Sequence, residues 1–137
     1  MKQLAFLTAL LLTMGFSAPS AARTILATGG VYGGPEQKRA YCYVFNGGAK
    51  DVRLWGPEII KQDGTQRDQH VIDTCSSRFG PPPWILPAGQ TCLVGVEIDQ
   101  SATYACRVVI QGTKANVRGN MDLRDEGDQV LTSSPLR

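Results

Sequence analysis

Thr91-Cys92-Leu93-Val94-Gly95-Val96-Glu97-Ile98-Asp99 and, after a short break, Tyr104-Ala105-Cys106-Arg107-Val108-Val109-Ile110-Gln111 decide the fold. In the first run Cys92, Val94, Val96 and Ile98 share one face, while Thr91, Gly95, Glu97 and Asp99 fall on the other. In the second, Tyr104, Cys106, Val108 and Ile110 oppose Ala105, Arg107, Val109 and Gln111. Side chains alternate sides along an extended chain, so both runs read as half-buried antiparallel strands. A third run follows the same rule: Val117, Gly119, Met121 and Leu123 oppose Arg118, Asn120, Asp122 and Arg124. Gly112-Thr113-Lys114 predicts a hairpin between the second and third runs, and Gln100-Ser101 a turn between the first and second.

Upstream, Ala40 to Phe45 is rich in Tyr and Val and stops at Asn46-Gly47-Gly48. Asp51 to Trp55 reads as a strand, Gly56-Pro57 breaks it, and Glu58-Ile59-Ile60 resumes it. Thr24 to Thr28 is a candidate first strand, and Asp63-Gly64 a turn. No stretch sustains a 3.6-residue apolar period for three turns, so no helix longer than a turn is expected. Short strands separated by Gly and Pro predict an all-β fold, an antiparallel β-sandwich of about seven strands, with a closed barrel as the alternative. Lys61 to Gln90 departs from the pattern. It is polar, holds one short strand candidate at His70 to Thr74, and carries Pro81-Pro82-Pro83-Trp84. Three consecutive prolines exclude a central strand, so this segment reads as a long Pro-rich loop.

The 137 residues fit one domain. With 42% hydrophobic and 19% charged residues, the chain has too little charge and too much apolar content for a disordered tail. A net charge of +2 leaves no electrostatic footprint for nucleic acid. A single His excludes multi-histidine zinc and copper sites.

Met1-Lys2 opens a positive segment, Leu4 to Phe16 is apolar, and Ser17-Ala18-Pro19-Ser20-Ala21-Ala22 is small and ends in an A-x-A-like site. This is the pattern of a signal peptide over residues 1–22, cut before Arg23. The apolar run is short of the ~20 residues a membrane span needs. Removing 1–22, which holds one of the 14 basic side chains, leaves a 115-residue domain over 23–137 with 13 basic and 12 acidic groups. The expected location is periplasmic or secreted, with no membrane span after cleavage.

Cys42, Cys75, Cys92 and Cys106 all lie in that domain, and an even count in an exported chain reads as two disulfides. Their gaps of 33, 17 and 14 residues lack the close pairs of a four-thiolate zinc site. If Gln100-Ser101 centres a tight hairpin, Cys92 and Cys106 lie too far apart to bond, which favours Cys42–Cys106 and Cys75–Cys92. The first would tie two sheets together, and the second would close the Pro-rich segment.

Cys42, then Trp55, then Tyr104-x-Cys106 after Asp99, resembles the Cys…Trp…Tyr-x-Cys spacing of immunoglobulin domains. Leu86-Pro87-Ala88-Gly89-Gln90-Thr91 is similar to the loop entering a middle strand of such sandwiches. The resemblance implies an immunoglobulin-like sandwich; the extra Cys75 and Cys92 and the Pro-rich insertion depart from it. Cys42-Tyr43-x-x-Asn46, Leu86-Pro87-x-Gly89 before Cys92, Tyr104-x-Cys106-Arg107 and Val117-Arg118-Gly119 also resemble small exported bacterial proteins of an uncharacterised family. That likeness implies a compartment and a sandwich, and no activity.

Catalytic constellations are sparse. His70 is the only candidate base for a nucleophilic serine, and no G-x-S-x-G surrounds any serine. Oxidised cysteines leave no thiolate for a blue-copper set. Glu97 and Asp99 lie about 7 Å apart on a strand, near a glycosidase spacing, but on what reads as a wet face. Asp122, Asp125, Glu126 and Asp128 do not match the ligand spacing of a calcium loop. No catalytic, cofactor-binding or metal-binding residue is assigned. The informative feature is aromatic. With Cys42 and Val44 inward, Tyr41, Tyr43 and Phe45 form a row on the opposite face, and Trp84 beside the prolines is a further exposed candidate.

The sequence therefore predicts an exported, non-enzymatic β-sandwich module that acts by binding a protein or glycan of the cell envelope. The expected contact surface is Tyr41, Tyr43, Phe45 and Trp84. Two alternatives stand beside it. A small secreted hydrolase or metal-dependent enzyme would cluster His70 with Glu97, Asp99 or Asp73. A self-assembling structural subunit would use an open sheet edge.

Overall fold

The structure, a computed structural model, describes residues 22–112 and 114–137. The leader reading falls on residues outside this range, apart from Ala22. Among the described residues nine strands run in the order β1 (Arg23–Ala27), β2 (Arg39–Asn46), β3 (Val52–Lys61), β4 (His70–Asp73), β5 (Trp84–Leu86), β6 (Thr91–Glu97), β7 (Tyr104–Gln111), β8 (Val117–Arg124) and β9 (Val130–Pro135). A six-residue helix α1 (Thr74–Phe79) lies between β4 and β5. Two antiparallel sheets form a sandwich, one ordered β1-β7-β3-β5 and the other β4-β6-β2-β8-β9. Among the described residues no helix is long and apolar enough to cross a membrane.

The alternation predicted for the central strands places the core. Ala40, Cys42 and Val44 from β2, Cys92, Val94 and Val96 from β6, and Met121 and Leu123 from β8 face inward from the five-stranded sheet. Leu54, Ile59, Cys106, Val108 and Ile110 meet them from the four-stranded sheet. Cys42 bonds Cys106 across the two sheets, and Cys75 of α1 bonds Cys92 of β6. No free cysteine remains.

The turn predicted at Gln100-Ser101 is present but closes no hairpin, and the hairpin expected through Gly112 does not form. β6 and β7 lie in different sheets, as do β7 and β8, so both short connections cross the sandwich. The favoured disulfide pairing is present although its premise, a tight hairpin at Gln100-Ser101, is not. The first crossing is held from two sides. Buried Gln37 donates through Nε2 to the carbonyls of Asp99 (2.7 Å) and Ala102 (2.6 Å), and its Oε1 accepts from Gly33 N–H (2.8 Å). Buried Tyr104 accepts the Asp99 N–H at its hydroxyl (2.8 Å), five residues upstream.

Lys61 to Gln90 is not one loop. Asp63 and Gly64 make the predicted turn, with the Asp63 carboxylate accepting the Thr65 N–H (2.9 Å). Beyond it lie β4, α1 and β5, elements too short to show a period. Asp73 caps α1, accepting the Ser76 N–H at 2.8 Å, and Gly80 ends it at a positive φ of 76°. β5 follows the prolines at the sheet's edge, where a ladder donor can be missing.

Trp84 corrects the surface reading. It is 6% exposed and belongs to the core, because β5 alternates Trp84 in, Ile85 out, Leu86 in. Trp55 shows the reverse. It stands half-buried on the outer side of the four-stranded sheet, with the Arg23 guanidinium 4.4 Å from its ring centroid. The immunoglobulin resemblance also loses a strand pairing: β8, the strand after the Cys106 strand, pairs with β2 instead of β7.

Candidate functional site

β2 presents Tyr41, Tyr43 and Phe45 on the outer face of the five-stranded sheet, since their neighbours Ala40, Cys42 and Val44 are fully buried. Strand pairing fixes what flanks the row. Tyr41 lies opposite Gly95 of β6 and Asp122 of β8; Tyr43 opposite Leu93 and Asn120; Phe45 opposite Thr91 and Arg118. The tyrosines are half-buried and Phe45 is 40% exposed. Gly95 makes room for this arrangement: a Cβ there would come within 2.6 Å of Tyr41 ring carbons and 2.7 Å of Ile72. Tyr41 and Tyr43 have ring centroids 6.4 Å apart, tilted by 34°, so they offer a broad, slightly folded surface.

Arg124 fixes that surface. Its guanidinium lies 4.9 Å from the Tyr41 ring centroid and donates to the Tyr43 hydroxyl (2.8 Å). It also donates to the carboxylates of Asp122 (3.2 Å) and Asp128 (3.0 Å). Asp122 is 8% exposed, so Arg124 supplies the countercharge that a nearly buried carboxylate requires. Burial pushes the Tyr41 hydroxyl above its ordinary range, and the nearby Asp128 carboxylate adds to this. Burial also raises Tyr43, against the lowering effect of Arg124. Both phenols therefore keep their protons at neutral pH and can donate hydrogen bonds to a ligand. Sequence reasoning named the aromatic row but not Arg124, Asp122 or Asn120 as its surroundings. Their alternation on β8 was visible; that β8 lies beside β2 was not.

The second region to weigh is a polar cleft of about 590 Å³ lined by Gln66, Arg67, Asp68, Gln69, His70, Val71 and Glu97. Here the structure does bring His70 near carboxylates. Its Nδ1 is 3.4 Å from Asp73 Oδ2, and Glu97 shares the cleft. The order of groups is wrong for nucleophilic catalysis. The hydroxyl of Ser76 donates through Oγ to Asp73 Oδ2 (2.7 Å), so the carboxylate sits between this serine and the histidine. A serine nucleophile needs the imidazole at its oxygen. Asp73 is further engaged in capping α1.

Asp99 lies among cations. The Lys61 ammonium at 3.0 Å holds its carboxyl below the usual range, and Arg67 lies 3.5 Å away. Among the described residues no three His, Cys, Asp or Glu side chains converge as metal ligands.

No family model, curated protein or solved structure matches this chain.

Proposed function

We propose that the protein is an exported binding module whose working surface is the outer face of the five-stranded sheet. One observation carries the reading: Tyr41, Tyr43 and Phe45 stand in a row away from the core, and Arg124 holds the two tyrosines in place before any ligand arrives. A rigid aromatic platform buries much area at low entropic cost, and the flanking Asn120 and Arg124, oriented by Asp122, supply polar groups beside it. That combination suits a sugar ring or an extended peptide. The partner class is a glycan or protein of the cell envelope. A leader over residues 1–22 and two disulfides fit an oxidising compartment, periplasmic or extracellular. The Tyr104 hydroxyl bond to an upstream backbone N–H is the main geometric support for immunoglobulin-like character, against the differing place of β8.

The test is binding of the purified chain to immobilised envelope polysaccharides and envelope proteins. Tyr41→Ala and Tyr43→Ala should each weaken retention by about 10-fold or more, with His70→Ala unchanged. Loss of retention or of turnover in His70→Ala, with the tyrosine variants intact, would move the function to the polar cleft and support an enzyme.

A further inference from the structure

A strand at the edge of a sheet exposes unpaired backbone groups, and folded proteins usually blunt such edges with prolines, bulges or very short strands. Three of the four edges here are blunted. β4 has four residues, a bulge between His70 and Ile72, and runs directly into α1. β5 has three residues between Pro83 and Pro87. β9 has a register shift opposite Leu123 and Arg124 and ends at Pro135, which has no N–H. β1 has none of these devices. It pairs with β7 in unbroken register from Arg23↔Gln111 to Ala27↔Arg107.

The direction of its backbone groups follows from its flanks. Ala22 accepts from Gly112 N–H (2.9 Å), and Thr28 donates to the Cys106 carbonyl (2.9 Å). Even-numbered residues therefore bond toward β7, and Arg23, Ile25 and Ala27 turn their N–H and C=O groups outward. Ala27 shows this directly, exchanging both bonds with Arg137, as donor at 3.2 Å and acceptor at 3.1 Å. Among the described residues Arg23 and Ile25 are left as the open stretch, and the Ile25 side chain is 59% exposed. The Arg23 guanidinium reaches back across β7 onto Trp55, so its charge is directed away from the edge.

We propose that β1 is a self-pairing edge that takes β1 of a second copy of this chain, antiparallel about a two-fold axis at Thr24. In that register Arg23 of each copy faces Ile25 of the other. Each of the two pairs exchanges both backbone bonds, giving four in all. The register ends where each copy's own Arg137 already occupies Ala27. A longer foreign strand would have to displace Arg137; a second β1 centred on Thr24 does not. The pairing is self-complementary, as a two-fold interface requires. It places the stem of Arg23 beside the exposed Ile25 of the other copy. Both aromatic faces lie on the other sheet and stay free, so the dimer would bind its ligand bivalently.

The interface is small and the association correspondingly weak. Sedimentation velocity on the chain exported with its own leader, from about 10 μM to about 1 mM, should show a concentration-dependent dimer. Amide exchange at Ile25 should slow over the same range. Ile25→Pro removes an outward N–H without costing a bond to β7, and Ile25→Lys keeps that N–H but adds a charge at the contact. Each should weaken dimerisation by about 10-fold or more. A monomer at every concentration overturns the proposal, as does a dimer that both variants leave intact. So does a monomer whose Ile25 amide is protected only by a strand from a different protein, which would assign the edge to a foreign partner.

Discussion

Each outer face of the sandwich carries an aromatic ring covered by an arginine, and the two arginines are held differently. On the five-stranded sheet Arg124 lies over Tyr41 and is fixed by the Tyr43 hydroxyl and the carboxylates of Asp122 and Asp128. On the four-stranded sheet Arg23 lies over Trp55, and among the described residues no carboxylate forms an ion pair with it. The same stacking contact is therefore held by three further groups on one face and by no ion pair among the described residues on the other. A locked platform is organised for a ligand before binding. An arginine without such carboxylate partners, at the start of an edge strand, can adjust to a neighbouring strand.

The Cys42–Cys106 bond joins these faces, since Cys42 lies beneath the tyrosine row and Cys106 in the sheet that carries Trp55. Replacing both cysteines by alanine should have the largest effect on stability. Opening a crosslink with a sequence separation of 64 is worth about 4 kcal/mol in the chain-entropy model, against about 3 kcal/mol for Cys75–Cys92 with 17. Urea denaturation of the two double variants measures the difference, and the core bridge should cost more.

The arginines sharpen the contrast directly. Arg124→Ala leaves Asp122 without its countercharge in a nearly buried position and should cost about 2 kcal/mol. Arg23→Ala loses only an exposed cation–π contact and should cost about 0.5 kcal/mol or less. Equal effects would erase the distinction between the faces.

A smaller effect is expected at high pH. Burial raises the hydroxyl pKa of Tyr41, Tyr43 and Tyr104 above 10, so the folded state holds these protons more tightly than the unfolded chain. Their contribution is complete below pH 10 and is lost as pH rises through the folded values. Stability measured between pH 8 and pH 11.5 should fall only at the alkaline end. Tyr41→Phe combined with Tyr43→Phe should flatten part of that fall, leaving the part due to Tyr104.

How much of this was legible in the sequence depended on strand length. β2, β6, β7 and β8 have seven or eight residues each, long enough for alternation to declare both the strand and its inner face. The tyrosine row followed from that alternation alone. Sheet assignment did not follow, because a connection of a few residues can close a hairpin or cross the ~10 Å between two sheets equally well. The bonds that hold the first crossing come from Gln37, 62 and 65 residues away in sequence. The same ignorance of neighbours hid Arg124, which meets Tyr43 only because β8 pairs with β2. Trp84 was misjudged for another reason. Its polyproline context suggested exposure, whereas three residues of alternation placed it inside.

The most direct test of the platform is Phe45→Ala, the least buried member of the row, followed by two readings on one preparation: melting temperature and retention on the envelope fraction that binds the parent chain. The expected result is a melting temperature within about 3 °C of the parent and a loss of retention of about 10-fold. Unchanged retention with a melting temperature lowered by about 8 °C or more would show that the aromatic row serves the fold and not a partner.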